Sequence, residues 1–312
     1  MCSSDLSLTL LTGSMNFGLG SMVNDYNNII IIKNTDLAQN YITEFNEMWG
    51  SSGAFPDLDL SKFGPAKTDN TIHGFNVNGI PIQNYFSPTD HTTEQIIAAI
   101  NSADYTLDIA MFTFINNDIG DAVVAAKNRG VTVRCVIENI SYIGSEYNNL
   151  INNGITVRSH ENIPYDFHHK YCIVDALNSG SDPLVVTGSH NWTNSAENDY
   201  DENILIIHSE IIANQYLEEF SKRFYEFTGI ENSSANNEIL FYPNPTTGII
   251  YLNLPDESHS SFSILSLQGG LVRSGEIDSP KLDLSSLSAG MYFLRIMSED
   301  HQKYITQKII KK

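Results

Sequence analysis

The chain has 312 residues, 17 Lys and Arg against 37 Asp and Glu for a formal net charge of −20, and 41% hydrophobic residues. That length suits two ordinary domains, and that hydrophobic fraction supports packed cores rather than extended disorder. The acidity excludes a basic architectural protein that collects on phosphates. No apolar run approaches the roughly 18 residues of a membrane span; Ile29–Ile32, for example, is a strand-sized run.

The chain opens on MCSSDL, with neither a cationic segment nor an apolar stretch, so it is not read as a signal peptide. Residues 1–6, Cys2 included, resemble the translation of a sequencing-adapter end and are read as an artefact. From Thr12 onward the sequence repeats itself at an offset of 175: Thr12-Gly13-Ser14-x-Asn16 returns as Thr187-Gly188-Ser189-x-Asn191. Asn28-Ile29-x-Ile31-Ile32 returns as Asn203-Ile204-x-Ile206-Ile207, and Ala38, Tyr41, Glu44 and Phe45 return as Ala213, Tyr216, Glu219 and Phe220. An Asn-Asp-Tyr triplet at Asn24 and Asn198 is displaced by one residue and reads as a structural turn. A series in constant register reads as duplication.

The two copies differ in extent. Residues 1–50 read as the C-terminal remnant of a first repeat whose front two-thirds is missing. Residues 51–79, rich in Gly, Pro, Ser and Asn, read as an inter-repeat connection. Residues 80–228 read as a complete α/β repeat. Strands are expected at IQNYFSP, LDIAMFTF, VTVRCVIE, ITVRS, KYCIVD and LVVTGS, with helices around 93–102, 118–128, 146–150 and 211–227. Cys135 and Cys172 fall inside apolar strands and read as buried thiols, with no zinc spacing. Residues 229–237 form a polar linker. Residues 238–312 then show about seven short alternating runs separated by turn residues, most simply a β-sandwich. This tail carries 7 Lys and Arg against 8 Asp and Glu, leaving 10 against 29 in the preceding part, or −19.

Residues 168–203 concentrate the reactive groups. His168 and Lys170 alternate along a strand and so face the same way. Asp175 follows, then Gly188, Ser189 and Asn191, then Glu202 ahead of the next strand. Lys170, Ser189 and Asn191 can surround a phosphate with donors, and a glycine at 188 allows close backbone approach. A histidine held by a carboxylate can act as nucleophile or proton carrier near neutrality.

This pattern resembles the phospholipase D superfamily, in His168-His169-Lys170-Tyr-Cys-Ile-Val-Asp175, Gly188-Ser189-His190-Asn191 and Glu202-Asn203. The segment between Asp175 and Gly188 is twelve residues, longer than the family's usual spacing. The resemblance implies an α/β sandwich of the phospholipase D type, here one complete repeat plus the tail of another. It implies cleavage of phosphodiesters without metal or cofactor, by two such motifs facing each other through a phosphohistidine. Carried over, His168 becomes the acid/base partner, oriented by Glu202. Lys170 and Asn191 hold phosphate oxygens with Ser189 in support, and Asp175 is a structural ion-pair member. The nucleophile would come from the first repeat, of which Ser14 and Asn16 survive, or from a paired chain. Asn27 stands where the repeat alignment places Glu202, so the imidazole of that repeat would be oriented differently.

Other residues near the motif read as structural. His169 and His190 occupy unmatched positions, and Arg134 and Arg158 read as partners of the many acids. Trp192 and Tyr165 remain open between packing and lining a cleft. Tyr242-Pro243-Asn244-Pro245, Leu287-Ser-Ala-Gly290-Met-Tyr292 and the basic end at Lys308, Lys311 and Lys312 resemble a type IX secretion sorting domain. That resemblance implies a partner in the type IX machinery, export across the outer membrane of a Bacteroidetes-type bacterium, and an N-terminal signal belonging to the missing front. The expected activity is a secreted phosphodiesterase, with phospholipid favoured over nucleic acid because of the −19 on residues 1–237. The alternatives are a metal-independent endonuclease and a non-catalytic, surface-binding fragment.

Overall fold

The computed structural model describes residues 8–161, 163–178, 180–226, 240–253, 260–266, 269–297 and 304–312. They fall in two compact units divided after Phe224. The expected artefact at 1–6 and the expected linker at 229–237 lie outside the described residues.

The chain enters the first unit as a hairpin of β1 (Thr9–Gly13) and β2 (Ile29–Lys33), with a short helix α1 (Leu19–Val23) between them. Helix α2 (Thr35–Trp49) follows; Asn34 caps it by accepting from the Leu37 amide at 2.8 Å, and Gly50 ends it in the left-handed conformation. Strands β3 (Gly74–Val77) and β4 (Ile80–Phe86) come next. Then come α3 (Thr92–Asn101), β5 (Thr106–Met111), α4 (Asn117–Asn128), β6 (Thr132–Ile137), α5 (Tyr147–Asn152) and β7 (Thr156–Ser159). Strands β8 (Lys170–Val174) and β9 (Leu184–Gly188), α6 (Asn194–Asn198), β10 (Asn203–His208) and α7 (Glu210–Glu226) complete the order.

Strands β3 to β10 form one eight-stranded sheet in the order β3-β4-β10-β9-β8-β5-β6-β7. The β5-β6-β7 part is parallel and the rest antiparallel. Every residue of β8 and β9 is buried, which is why both read as near-continuous apolar runs. Alternation along β10 sends Ile204 and Ile206 into a core with α3, α4, β5 and β6. Leu205 and Ile207 go to the opposite face, against Leu10, Ile32 and Leu37 of the N-terminal hairpin and α2. Cys135 and Cys172 are free, buried thiols, as expected, and stand on either side of Ile109 in adjacent strands.

The span 51–79 is not only a connection. Asn78 and Gly79, both at positive φ, close a tight hairpin that adds β3 to the sheet edge. The alternation that signals a strand is only four residues long there, and its Asn-Gly turn is masked by the surrounding polar composition. The same span delivers Lys67, whose buried ammonium pairs closely with Glu44, lies 3.0 Å from Asp201 and donates to the Ser87 carbonyl at 2.8 Å.

The duplication is visible in three dimensions. β1 pairs with β2 through Gly13↔Ile29, and β9 pairs with β10 through Gly188↔Ile204, each 175 residues on. Gly13 and Gly188 both have positive φ, and a Cβ there would lie 2.2 and 2.1 Å from the carbonyl oxygens of Asn28 and Asn203. The two ribbons meet along a reciprocal polar seam. Thr12 donates to Asn203 Oδ1 at 2.8 Å and Asn28 donates to Thr187 Oγ1 at 2.7 Å. The Tyr41 hydroxyl donates to Asn203 at 3.0 Å, and Asn28 donates to the Tyr216 hydroxyl at 3.1 Å.

The second unit has seven strands among its described residues: β11 (Leu240–Tyr242), β12 (Ile249–Asn253), β13 (Ser260–Leu265), β14 (Leu271–Ile277), β15 (Lys281–Asp283), β16 (Gly290–Met297) and β17 (Tyr304–Lys311). They make sheets of three and four strands, ordered β11-β12-β15 and β14-β13-β16-β17. Ile250 and Leu282 of one sheet share a core with Phe262, Leu294 and Ile309 of the other, which makes the sandwich.

Asp175 is expected in an ion pair, and the structure corrects this. Its fully buried carboxylate accepts from the amides of Asp104, Tyr105 and Thr106 at 2.9, 2.8 and 2.7 Å, and from Ser181 Oγ at 2.7 Å. The carboxylate thereby satisfies the backbone where β5 begins, a need invisible in the linear sequence. Asp175→Ala orphans these donors and is expected to cost about 3 kcal/mol. Calorimetry should show the melting point falling by roughly 6–12 °C for a unit of this size.

Candidate active site

Strand β8 begins at Lys170, and the two-residue period places His168 on the same side. The Lys170 Nζ stands 3.1 Å from His168 Nε2 and donates to the His168 carbonyl at 3.1 Å. Phe112, just beyond β5, packs its ring 4.7 Å from the His168 ring and 5.0 Å from the Lys170 ammonium. This apolar wall has no signature in the sequence beyond following an apolar strand.

His168 Nδ1 lies 2.8 Å from the Ser14 carbonyl oxygen and 3.0 Å from Asn27 Oδ1. A carbonyl only accepts, so the ring proton sits on Nδ1 and the Nε2 lone pair faces Lys170. Burial, aided by the Lys170 charge, holds the His168 pKa down at about 4. Burial likewise pulls Lys170 down to about 7, against the opposing pull of Glu202 and Asp166. Burial raises Glu202 above the usual carboxylate range, while the Ser189 hydroxyl bonded to it works the other way. At neutrality the group therefore holds an unprotonated imidazole beside an ammonium poised at its titration point. An arriving phosphate diester would favour the charged lysine.

Glu202 is expected to orient His168, and the geometry differs. The ring nitrogens of His168 are taken by Ser14, Asn27 and Lys170. The orienting position is filled from the other repeat, by the residue that aligns with Glu202. The seam exchanges partners between the two halves, and linear order within one repeat cannot show that. Glu202 itself belongs to the Ser189 side of the seam.

Both motif serines brace their own ribbons. Ser14 Oγ accepts from the Asn28 amide and Ser189 Oγ from the Asn203 amide, each at 3.0 Å. Ser14 also donates to Asn27 Oδ1 at 3.3 Å. Asn191 is partly buried, with an Oδ1 that has no hydrogen-bond partner among the described residues. Asn16 is exposed. The structure thus gathers His168, Lys170, Ser14, Ser189 and Glu202 around the seam, and adds Asn27 and Phe112.

The remaining residues play structural parts. His169 is buried, its Nε2 3.3 Å from Glu219 and its Nδ1 3.4 Å from Asn28 Oδ1. His190 is buried beside Thr92 and Glu197. Trp192 is buried edge-to-face on Phe114, whereas Tyr165 is exposed. Arg134 binds Asp108 with two hydrogen bonds of 2.7 and 2.9 Å, and Arg158 lies over the Phe224 ring. The donor atoms of Asp69, His73 and Asp90 come within 4.8 Å of one another. Nevertheless His73 Nδ1 lies 3.1 Å from the Asn84 carbonyl and Nε2 lies 3.2 Å from Asp69. With both ring nitrogens taken, this group is an ion bridge beside β4.

Comparison with known proteins places these features. A family model described as "Cardiolipin synthase, PLD-like domain" matches residues 1–49 and 96–224, and one described as "Secretion system C-terminal sorting domain" matches residues 240–312. The chain is 32% identical over 162 residues to the mitochondrial cardiolipin hydrolase of Canis lupus familiaris, covering 51% of this chain and 58% of that protein. It is 32% identical over 141 residues to the Xenopus tropicalis protein of the same name, covering 45% of this chain and 64% of the other. The chain thus spans about six-tenths of the length of these curated relatives. Among solved structures, the Salmonella typhimurium phospholipase D family member Nuc is 32% identical, with 46% of this chain and 93% of that one covered and a TM-score of 0.41. The sorting domain directs the protein through the type IX machinery to the cell surface or the medium. No helix among the described residues is long and apolar enough to cross a membrane.

The geometry makes a prediction that does not depend on turnover. In an NMR titration, the His168 imidazole should stay neutral down to about pH 4 and protonate only below it, against about 6.5 for an unperturbed histidine. Removing the neighbouring cation with Lys170→Ala should raise that midpoint. A wild-type midpoint near the ordinary value would contradict the desolvated setting of His168 beside Lys170.

Proposed function

The chain belongs to the phospholipase D-like family, and on that premise we propose that it contributes one half of a phosphodiesterase site acting on phospholipid. The observation that carries this reading is the His168 Nε2 lone pair, fixed by the Ser14 carbonyl and set beside the Lys170 ammonium. An unprotonated imidazole is the form that attacks phosphorus, so we place His168 as nucleophile rather than as first proton donor. Nε2 forms the N–P bond as the P–O bond to the leaving group breaks. A second imidazole gives that leaving oxygen its proton. Water then attacks phosphorus, passing its proton to the second imidazole, and the N–P bond breaks to restore His168. Lys170 and Asn191 hold the non-bridging oxygens and stabilise the charge gathered on them.

The second imidazole has to come from outside the described residues, because the first-repeat side presents Ser14, Asn16 and Asn27 and no histidine. Phospholipid is favoured because the identified relatives are named for cardiolipin hydrolysis. The −19 on residues 1–237 also gives nucleic acid no general attraction.

Vesicles containing cardiolipin or phosphatidylcholine, with a chelator present, test the reading. The chain should release phosphatidic acid slowly, and His168→Ala should lower the rate at least about a hundredfold. Nicking of plasmid DNA with no lipid cleavage would replace the lipid reading by an endonuclease. Turnover that survives His168→Ala would overturn the site.

A further inference from the structure

The amide of Asn27 is oriented from behind. Its Nδ2 donates to the Ser21 carbonyl and to Ser21 Oγ, each at 3.0 Å, which turns Oδ1 toward His168. There Oδ1 accepts from Ser14 Oγ at 3.3 Å and lies 3.0 Å from His168 Nδ1. The Ser14 carbonyl is 2.8 Å from the same nitrogen, so the ring N–H meets two oxygen acceptors, neither of them charged. In the second repeat the aligned residue is Glu202, and the Ser189 hydroxyl bonds to it as Ser14 bonds to Asn27. The seam thus carries an amide on one side and a carboxylate on the other, and His168 is seated on the amide.

The difference has chemical weight. When Nε2 bonds to phosphorus, the ring keeps its Nδ1 proton and becomes cationic. A carboxylate at Nδ1 would stabilise that cation across a hydrogen bond, in surroundings where charges interact strongly. An amide oxygen and a peptide carbonyl stabilise it far less. A carboxylate would also make the imidazole more basic, hence a stronger nucleophile and a poorer leaving group. The other charges that reach the ring do not replace this partner. Lys170 and His169 oppose a positive imidazole, and Asp25 favours one only from beyond the two oxygens that hold Nδ1.

We propose that Asn27 is a positioning residue that leaves the phosphorylated His168 ring without a counter-ion, so that the N–P bond breaks faster than it forms and the covalent intermediate does not accumulate. In the first step Nε2 forms the N–P bond while the P–O bond releases the leaving group with its electron pair. In the second, water attacks phosphorus and gives up its proton, and the N–P electron pair returns to Nε2. Asn27 and Ser14 hold the Nδ1 proton throughout. The covalent step rests on the phosphodiesterase reading; the uncharged seat of the ring does not.

Three variants of the full chain test this. Asn27→Asp puts a carboxylate of the same shape at Nδ1, Asn27→Glu supplies the side chain that the second repeat carries there, and Asn27→Ala removes the amide without adding charge. Thermal melting shows which of them fold. In an NMR titration the His168 midpoint should rise by at least about one pH unit in a folded carboxylate variant, and should not rise in Asn27→Ala. The second readout is cleavage of bis(p-nitrophenyl) phosphate, whose nitrophenolate departs without needing a proton. The wild type should release it steadily from the start. A carboxylate variant should give a stoichiometric burst, then a phase at least about tenfold slower, with an acid-labile phosphoryl group on His168. An unchanged midpoint in the carboxylate variants, an equal rise in Asn27→Ala, or a burst in the wild type overturns the proposal. A raised midpoint without a burst overturns the role in N–P cleavage. A raised midpoint with no nitrophenolate from any form supports the uncharged seat and overturns the phosphodiesterase reading, so the two can fail separately.

Discussion

Everything in the first unit turns on a pair of asparagines that each reach across to the other half. Asn28 and Asn203 stand one repeat apart, and each amide meets a strand threonine and a helix tyrosine of the opposite half. These groups are polar and largely removed from water, where an unmade hydrogen bond costs more than a made one contributes. The seam therefore has one register. That register is what brings the Ser14 carbonyl and Asn27 to His168. The chemistry of the imidazole is thus a consequence of how two ribbons interlock, and the ring is held by Ser14 and Asn27 of the other half.

The same arrangement accounts for the charges. Lys170 is buried against Phe112 and His168, so its ammonium is weakly hydrated and ready to exchange its poor surroundings for a phosphate oxygen. His168 stays neutral chiefly because burial disfavours its charged form, and the neighbouring ammonium adds to that cost. The surplus of acids in this part of the chain is a poor guide to the site, where the decisive interactions are over distances of about 3 Å rather than through a long-range field.

Much of this was legible in the sequence because duplication writes geometry in one dimension. The offset that aligns Thr12-Gly13-Ser14 with Thr187-Gly188-Ser189 also aligns their strand pairings, and the His168–Lys170 alternation was enough to put both on one side. The legible part stops at contacts that cross the seam. Glu202 looked like the partner of His168 because it follows in the same repeat, but the partner is its counterpart, Asn27. Asp175 looked like an ion-pair member because carboxylates usually are; its partners are backbone amides, which have no letter in a sequence. Lys67 lies in a stretch whose composition says only connection, and its burial depends on Glu44, Asp201 and Ser87 coming together from three distant places.

The placing of Cys135 and Cys172 carries a consequence for export. Each is directly across from Ile109, one strand on either side, so two inter-strand spacings separate them, well beyond the reach of a disulfide. Burial also pushes both thiols far above their ordinary pKa, leaving almost no thiolate. An exported chain meets an oxidising compartment on its way, and a bond between these two sulfurs can form only before β5 is in place. Such a bond would shut β5 out from between β6 and β8. In the folded sheet β5 lies between the strands that carry these two thiols and acts as the spacer that keeps them apart.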